Sequence, residues 1–303
     1  MRVLIVARCK QGRYAPFITE QVEAIEKQGV ECRYFGVDGK GILGYLRQIP
    51  KLRRAIKEFR PNIIHAHYGL CGLLANYQRR IPVVATYHGS DINDPKVFWL
   101  SKRSIHRSRF NIFVSQKNID IARPRKDFAL IPCGINLEDY PIIDKADARR
   151  EMGLEMSKKY VLFAGAFDNP VKNAPLAKSA LEQIPGVELL ELKGYTRSQV
   201  SMLMQAVDAF LMTSFSEGSP QVIKEALACG CPIVSVDVGD VKRRVSGIEG
   251  CFISGRSLDN LVTSLRFALA HLGRTTGREA IIRDELTNSQ IAKKIVHCYF
   301  ESM

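Results

Sequence analysis

The sequence predicts two doubly wound α/β domains facing each other across a cleft. Short apolar, β-branched runs alternate with helical stretches along the chain, the pattern of mostly parallel sheets covered by helices on both faces. The alternation lapses near residues 133–141 and then restarts, and a length of 303 residues suits two domains. Ligands of such domains sit at the carboxyl ends of the strands. The expected division is an N-terminal domain over 1–155, a C-terminal domain over 156–285, and a closing helix over 286–303 that packs back toward the first domain.

Each element has its own signal. Arg2–Ala7 is an apolar run too short for a signal peptide and reads as a buried strand. Pro16–Gln28 places Phe17, Val22 and Ile25 on a helix that Gly29 closes. Glu31–Val37 is a strand, and Ile42–Phe59 is helical with Pro50 as a candidate break, because its ring removes a backbone donor. Asn62–Ala66 is a strand, Leu70–Arg79 a helix and Pro82–Thr86 a valine-rich strand; Asn111–Ser115 and Phe128–Ile131 complete the first set. A connector over 133–141 leads to a short helix, Ala148–Met152, with Gly153 behind it. The second set has strands at Tyr160–Ala164, Val187–Leu192, Ala209–Met212, Pro232–Val236 and Cys251–Ile253. Its helices are Ala174–Gln183, Ser198–Ala206, Gln221–Ala228 and Leu258–Leu272, and Arg278–Phe300 ends the chain as one more helix.

Composition narrows the class. Hydrophobic residues make up 46% and charged residues 25%, as in soluble globular proteins, and no run approaches a membrane span of ~20 apolar residues. The eight cysteines are scattered without a Cys-x-x-Cys, which favours reduced structural thiols in the cytoplasm. The net charge of +13 is uneven: residues 1–155 hold 27 Lys and Arg against 16 Asp and Glu, whereas 156–303 hold 17 against 15. Runs over Lys40–Arg60 and Lys102–Lys126 carry most of the excess, a field that attracts anionic membrane, phosphorylated substrates or nucleic acid. The basic runs lack a stacked-aromatic or recognition-helix pattern, so nucleic acid is not expected.

The most informative segment is Ser216–Cys229. Glu217 lies in the turn after the Ala209–Met212 strand, and Glu225 lies about two turns further on, in a helix that follows Gly218-Ser219-Pro220. At 3.6 residues per turn both carboxylates can address one ligand over the helix N-terminus, whose free N–H groups favour phosphate. Two hydroxyl-binding carboxylates around a phosphate cradle suit a sugar nucleotide.

This segment resembles the donor-binding motif of glycosyltransferase family 4, retaining enzymes of the GT-B fold, through Glu217-Gly218-Ser219-Pro220, Glu225-Ala226-Leu227-Ala228 and Gly230. The resemblance implies that Glu217 binds the donor sugar and Glu225 the ribose hydroxyls. It also implies that backbone N–H groups of Gly218, Ser219, Gln221 and Val222, around Pro220, meet the sugar and diphosphate. Lys172 matches the family's phosphate-neutralising lysine, although a surface lysine before a helix is an alternative. Phe167 stands where that loop usually carries an arginine, and a phenylalanine donates no hydrogen bond to phosphate. His88-Gly89-Ser90-Asp91 resembles the loop whose histidine reaches the sugar or acceptor from the other domain, or else it caps the next helix.

Gly12 sits in the loop corresponding to the family's glycine-rich one, and Gly194 and Tyr195 correspond to the base-binding turn. Arg8, Lys10 and Arg13 are expected on the acceptor side. Arg47, Lys51, Arg53 and Arg54 beside Ile42–Leu46 are expected at an anionic membrane surface or a phosphorylated, lipid-linked acceptor, the alternative being a solvated basic helix. His65 and His67 read as structural rather than as a metal pair. With no Asp-x-Asp and no Gly-x-Gly-x-x-Gly after a strand, neither metal nor nicotinamide cofactor is expected. The implied function is metal-independent transfer of a sugar from a nucleoside-diphosphate donor with retention, in cell-surface polysaccharide or glycolipid biosynthesis, in the cytoplasm or peripherally at the inner membrane face. The alternative is a GT-B protein that binds nucleotide sugar but has lost turnover, for which Phe167 is the main support.

Overall fold

The computed structural model describes residues 1–39, 41–125 and 127–303, the Ile42 side chain excepted. Lys40, Lys126 and that side chain, which the basic runs and the expected membrane contact include, lie outside the described residues. The chain divides into two compact units, residues 1–134 with 288–303, and residues 135–287.

The first unit holds β1 (Arg2–Arg8), α1 (Pro16–Glu26), β2 (Glu31–Val37), α2 (Gly41–Leu46), α3 (Ile49–Phe59), β3 (Ile63–His67), α4 (Gly69–Ala75) and β4 (Val83–Tyr87). It continues through α5 (Ser90–Asn93), α6 (Pro95–Arg107), β5 (Phe110–Phe113), α7 (Gln116–Ala122) and β6 (Phe128–Leu130). Six parallel strands run in the order β2-β1-β3-β4-β5-β6. Strand periodicity sends alternate side chains of β1 to opposite faces. Val3, Ile5 and Ala7 join a core with Ile18, Val22 and Ile25 of α1, whereas Leu4 and Val6 join Leu52 and Phe59 of α3 and Leu74 of α4. Each fully buried aliphatic side chain of this kind contributes roughly 1.5–3 kcal/mol.

The second unit holds α8 (Lys145–Met152), β7 (Lys159–Phe163), α9 (Ala174–Glu182), β8 (Val187–Glu191), α10 (Arg197–Ala206), β9 (Ala209–Met212) and α11 (Gln221–Ala228). It ends with β10 (Ile233–Val236), α12 (Val241–Val245), β11 (Cys251–Ser254), α13 (Leu258–Ala270) and α14 (Gly277–Arg283). Its five parallel strands run β11-β10-β9-β7-β8. Leu162, Phe210 and Met212 face a core with Leu203 of α10 and Ala226 of α11; Val161, Phe163 and Leu211 face α9 and α13.

Three expectations change. The boundary falls after Gly134, not after 155, because α8 packs on α10 and Arg149, buried, bonds the Ala206 carbonyl and Asp208. The helical stretch over 42–59 is broken, but ahead of Pro50 rather than at it: α2 ends at Leu46, and Pro50 sits in the first turn of α3, where no backbone donor is required. The terminal helix is likewise two: α14 stops, Glu285 turns at φ 54°, and α15 (Asn288–Ser302) returns to the first unit, where Ile291, Ile295 and Tyr299 join the α1 core. No helix among the described residues is long and apolar enough to cross a membrane.

Candidate active site

In the second unit the order of strands reverses between β7 and β9, and the loops leaving their carboxyl ends diverge to form the crevice where such sheets bind ligands. The loop after β7 carries Lys172 and the loop after β9 carries Glu217. Lys172 Nζ donates to Glu217 Oε1 at 2.7 Å, with both side chains about four-fifths buried, at 20% and 17% exposure. The loops are sewn together beneath this pair. The Phe215 N–H donates to the Val171 carbonyl, and Thr213 Oγ1 lies 2.9 Å from both the Lys172 and Asn173 carbonyls. Gly165, at φ 147°, leaves room for the lysine stem, since a Cβ there would lie 3.1 Å from Lys172 Cε. The pair therefore belongs to a fixed frame and is not a chance surface contact.

Glu225, part-buried on α11, is engaged by Tyr140. Burial pushes the Tyr140 hydroxyl up, the Glu225 charge pushes it further, and the two side chains share a hydrogen bond. The turn over 217–220 is braced from β10. Gly239, at φ 60°, lies so near it that a Cβ would come 2.4 Å from the Gly218 carbonyl oxygen. Ser219 Oγ donates to Asp240 Oδ2 at 2.9 Å, and Arg244 Nε holds the same oxygen at 2.8 Å, with Asp240 and Arg244 both buried. Arg256 reaches the Ser214 carbonyl at 2.9 Å. Lys224 is fully buried and donates to Gln221 Oε1 at 2.7 Å. Sequence reasoning missed these supporting residues. Only the Val238-Gly239-Asp240 turn, after a predicted strand, offered a signal for any of them.

Phe167 does not line the site as a free ring. It packs against the α9–α13 core, 5.4 Å from Phe163, and the Lys178 ammonium lies 4.5 Å over its face. Its N–H donates to Glu191 Oε1 at 2.6 Å. Lys193 donates to Asp168 Oδ2 at 2.7 Å and holds that carboxyl below its usual range. This ties the turn of Gly194, at φ 82°, and half-exposed Tyr195 to the loop carrying Phe167.

In the first unit, His88 follows β4. His88 Nε2 meets His67 Nδ1 at 3.1 Å, and His88 Nδ1 meets Cys133 Sγ at 3.7 Å, so both ring nitrogens have protein contacts. Phe17 and Tyr68 flank the ring at 4.9 and 4.7 Å. His67 is fully buried, and burial pushes its pKa down to about 3. Its Nε2 is buried without a partner, and an orphaned acceptor costs less than an orphaned N–H. The proton therefore belongs on His67 Nδ1, which donates to His88 Nε2, and the His88 proton belongs on Nδ1. His65 bonds Tyr299 at 2.6 Å and Thr86 at 2.8 Å, which makes it a structural tie. Asp91 accepts N–H bonds from Gly69, His88 and Gly89; burial outweighs these bonds and raises its carboxyl to about 6.

Gly12, at φ 77°, follows Gln11 at φ 51° in a two-residue turn closed by the Lys10–Arg13 pair, which leaves Arg8, Lys10 and Arg13 exposed. Arg47, Lys51, Arg53 and Arg54 are exposed too, while Leu52 and Phe59 turn the apolar side of α3 into the core. On α2, Tyr45 is buried and Leu43 projects at 71% exposure. The sequence brings Lys172, Glu217, Gly218–Val222, Glu225, Gly194 and Tyr195 into the second unit, and His88, Gly12 and the basic side chains into the first.

Comparison with known proteins agrees with this layout. The family model for Glycosyltransferase Family 4 matches residues 7–139, and that for Glycosyl transferases group 1 matches residues 155–271. A proposed teichuronic acid biosynthesis glycosyltransferase of Bacillus subtilis, TuaC, is 26% identical over 69% of this chain and 61% of its own length. A D-inositol 3-phosphate glycosyltransferase of Mycobacterium marinum is 24% identical over 67% of this chain and 54% of its own. The chain thus spans between about half and three-fifths of the length of these relatives. Among solved structures, sucrose-phosphate synthase of Thermosynechococcus elongatus superposes with a TM-score of 0.82 at 16% identity, covering 99% of this chain and 98% of that one. The Anabaena protein HepE in complex with UDP superposes with a TM-score of 0.75 at 17% identity, covering 100% of both. The two parallel-sheet units are those of GT-B glycosyltransferases, and with both halves matched in order the chain belongs to glycosyltransferase family 4.

Proposed function

We propose that this chain transfers a sugar from a nucleoside-diphosphate donor to a sugar or lipid-linked acceptor, retaining the anomeric configuration and using no metal. The observation that carries this reading is the Lys172–Glu217 pair at the β7/β9 switch point, with α11 and Glu225 following it. In the proposed reaction the donor diphosphate takes Lys172 from Glu217. The released carboxylate then accepts hydrogen bonds from sugar hydroxyls. Lys172 and the first N–H groups of α11 stabilise the negative charge that builds on the departing diphosphate. Glu225, oriented by Tyr140, accepts from the ribose hydroxyls. The departing phosphate serves as the base for the acceptor hydroxyl. His88 donates or accepts one hydrogen bond at the sugar or acceptor, which requires it to release His67 or Cys133.

The nucleotide part of the proposal is supported by HepE, whose structures are in complex with UDP and with UDP-glucose. The cell-surface part is supported by the teichuronic acid relative. The exposed Arg47, Lys51, Arg53 and Arg54, with Leu43, support a cytoplasmic enzyme at the inner face of an anionic membrane. A thermal-shift screen against UDP- and GDP-sugars identifies the donor, and product formation is then followed with that donor. Glu217→Ala should leave the protein folded and lower transfer by roughly a hundredfold or more, the loss expected when a transition-state contact disappears. A wild-type protein that binds the donor but neither transfers nor hydrolyses it would favour the binding-only reading, which the ring of Phe167 in the arginine position supports.

A further inference from the structure

The first unit carries a basic basin at the amino ends of its strands, opposite the end where His88 lies. The turns from α4 to β4 and from α6 to β5 enclose a cavity of about 520 Å³. Arg79, Arg80, His106, Arg107 and Arg109 line it, the end of α15 forms the remaining wall, and among the described residues no aspartate or glutamate side chain lines it. Among the described residues, Arg109 is the one arginine of the four with an ion pair, to Asp127 at 2.8 Å. Helix polarity explains part of this charge, since His106 and Arg107 stand in the last turn of α6 where cations complement the dipole. It does not explain Arg79 and Arg80, which follow the end of α4 by four and five residues, or Arg109 at the start of the next strand.

The backbone beneath these cations is preorganised. Gln78 closes its own turn: Nε2 donates to the Ala75 and Ile81 carbonyls, and Oε1 accepts the Arg80 and Ile81 N–H groups. Asn76 Nδ2 donates to Ser108 Oγ at 2.9 Å and so joins the two turns to each other. The helices behind them pack closely, since a Cβ on Gly72 would lie 2.1 Å from Ser104 Oγ. Like charges held together by a rigid scaffold are unfavourable until an anion enters.

We propose that this basin binds a ligand with several phosphate groups. Guanidinium forks match phosphate oxygens two at a time, and the cavity is large enough for more than one phosphate. The group is carried either by a soluble polyphosphate ester or by clustered lipid headgroups. The proposal is independent of the donor site, which lies in the other unit.

The test titrates wild type with inorganic triphosphate by calorimetry and sediments it with phosphatidylglycerol vesicles, using phosphatidylcholine vesicles as the neutral control. The Arg79→Ala/Arg80→Ala and Arg107→Gln variants are compared with the charge-matched Lys242→Ala/Arg243→Ala, whose side chains are exposed on the second unit. A soluble ligand predicts that triphosphate binding falls about tenfold or more in both basin variants and stays within about twofold in the control. A lipid source predicts instead that vesicle binding, not triphosphate binding, is lost in the basin variants and kept in the control. The proposal is overturned if neither probe binds, if the basin variants bind both probes as wild type does, or if the control loses binding equally. These arginines are exposed, and an unchanged melting temperature confirms that each variant is folded.

Discussion

At the scale of single residues, Phe167 and Asp91 show how environment decides what a side chain can do. Phe167 occupies the expected position of a phosphate-binding arginine, yet its ring completes a hydrophobic cluster with Phe163 and supports Lys178. Phe167→Ala should therefore destabilise the second unit by about 1–2 kcal/mol, less than the cost of emptying a fully buried aromatic site because the ring is only partly buried, and a denaturant melt reads this directly. Asp91 holds the His88 loop against the start of α4 through three backbone N–H groups. Its carboxyl is raised from 3.8 to about 6 by burial, so between those values the folded state binds more protons than the unfolded one. Stability from this group is therefore full below pH ~4 and falls as pH rises through ~6, by on the order of 3 kcal/mol. Melts of wild type and Asp91→Asn at pH 4 and pH 7 isolate the effect: the variant should gain on wild type at the higher pH. At this scale the motif residues were legible because their spacing is rigid, as with Glu217 and Glu225. Their braces were not, because Asp240, Arg244 and Arg256 approach from other strands and share no local pattern with the motif.

At the scale of elements, the strands were legible and one long helix was not. The run from Arg2 to Ala7 is apolar at every position and reads as a buried parallel strand. Helix α6, by contrast, is rich in lysine, arginine and serine, and two of its four buried residues are serines. Its contact with α4 is made by Ser101 against Gly69 and Ser104 against Gly72, small residues that let two helices approach closely. Hydrophobic periodicity is blind to such an interface. The same closeness governs Gly239. Gly239→Ala should cost about 1 kcal/mol or more for its left-handed backbone alone, and it should weaken donor binding because the Cβ pushes on Gly218. Calorimetry with the identified donor measures the second effect. Helix α15 is covalently next to the second unit but buries Ile291, Ile295 and Tyr299 in the first. Tyr299→Phe leaves a His65 nitrogen unsatisfied and should destabilise the first unit by about 1–3 kcal/mol without altering donor affinity.

At the scale of the molecule, moving the boundary to Gly134 changes the charge picture. The first unit, with α15, holds 26 Lys and Arg against 11 Asp and Glu, and the second holds 18 against 20. All of the excess positive charge therefore belongs to the first unit, a sharper separation than division at residue 155 suggested, since residues 135–155, with six Asp and Glu against three Lys and Arg, belong to the second. That division failed because the connector over 135–155 contains a helix whose buried contact is an arginine–aspartate pair, not an apolar face. Under the proposed function this asymmetry would separate tasks, with the donor site on the nearly neutral unit and the anion-binding surfaces on the basic one. The central claim is that a nucleotide sugar binds the second unit through Lys172 and Glu217 and is turned over there. Release of nucleoside diphosphate from the donor identified in the sugar-nucleotide screen tests this most directly, in wild type and in Glu217→Ala at matched, folded concentrations. The account predicts continuous release by wild type and a loss of roughly a hundredfold in the variant. Equal release by the two proteins, or a folded wild type that binds none of the sugar nucleotides, would contradict it.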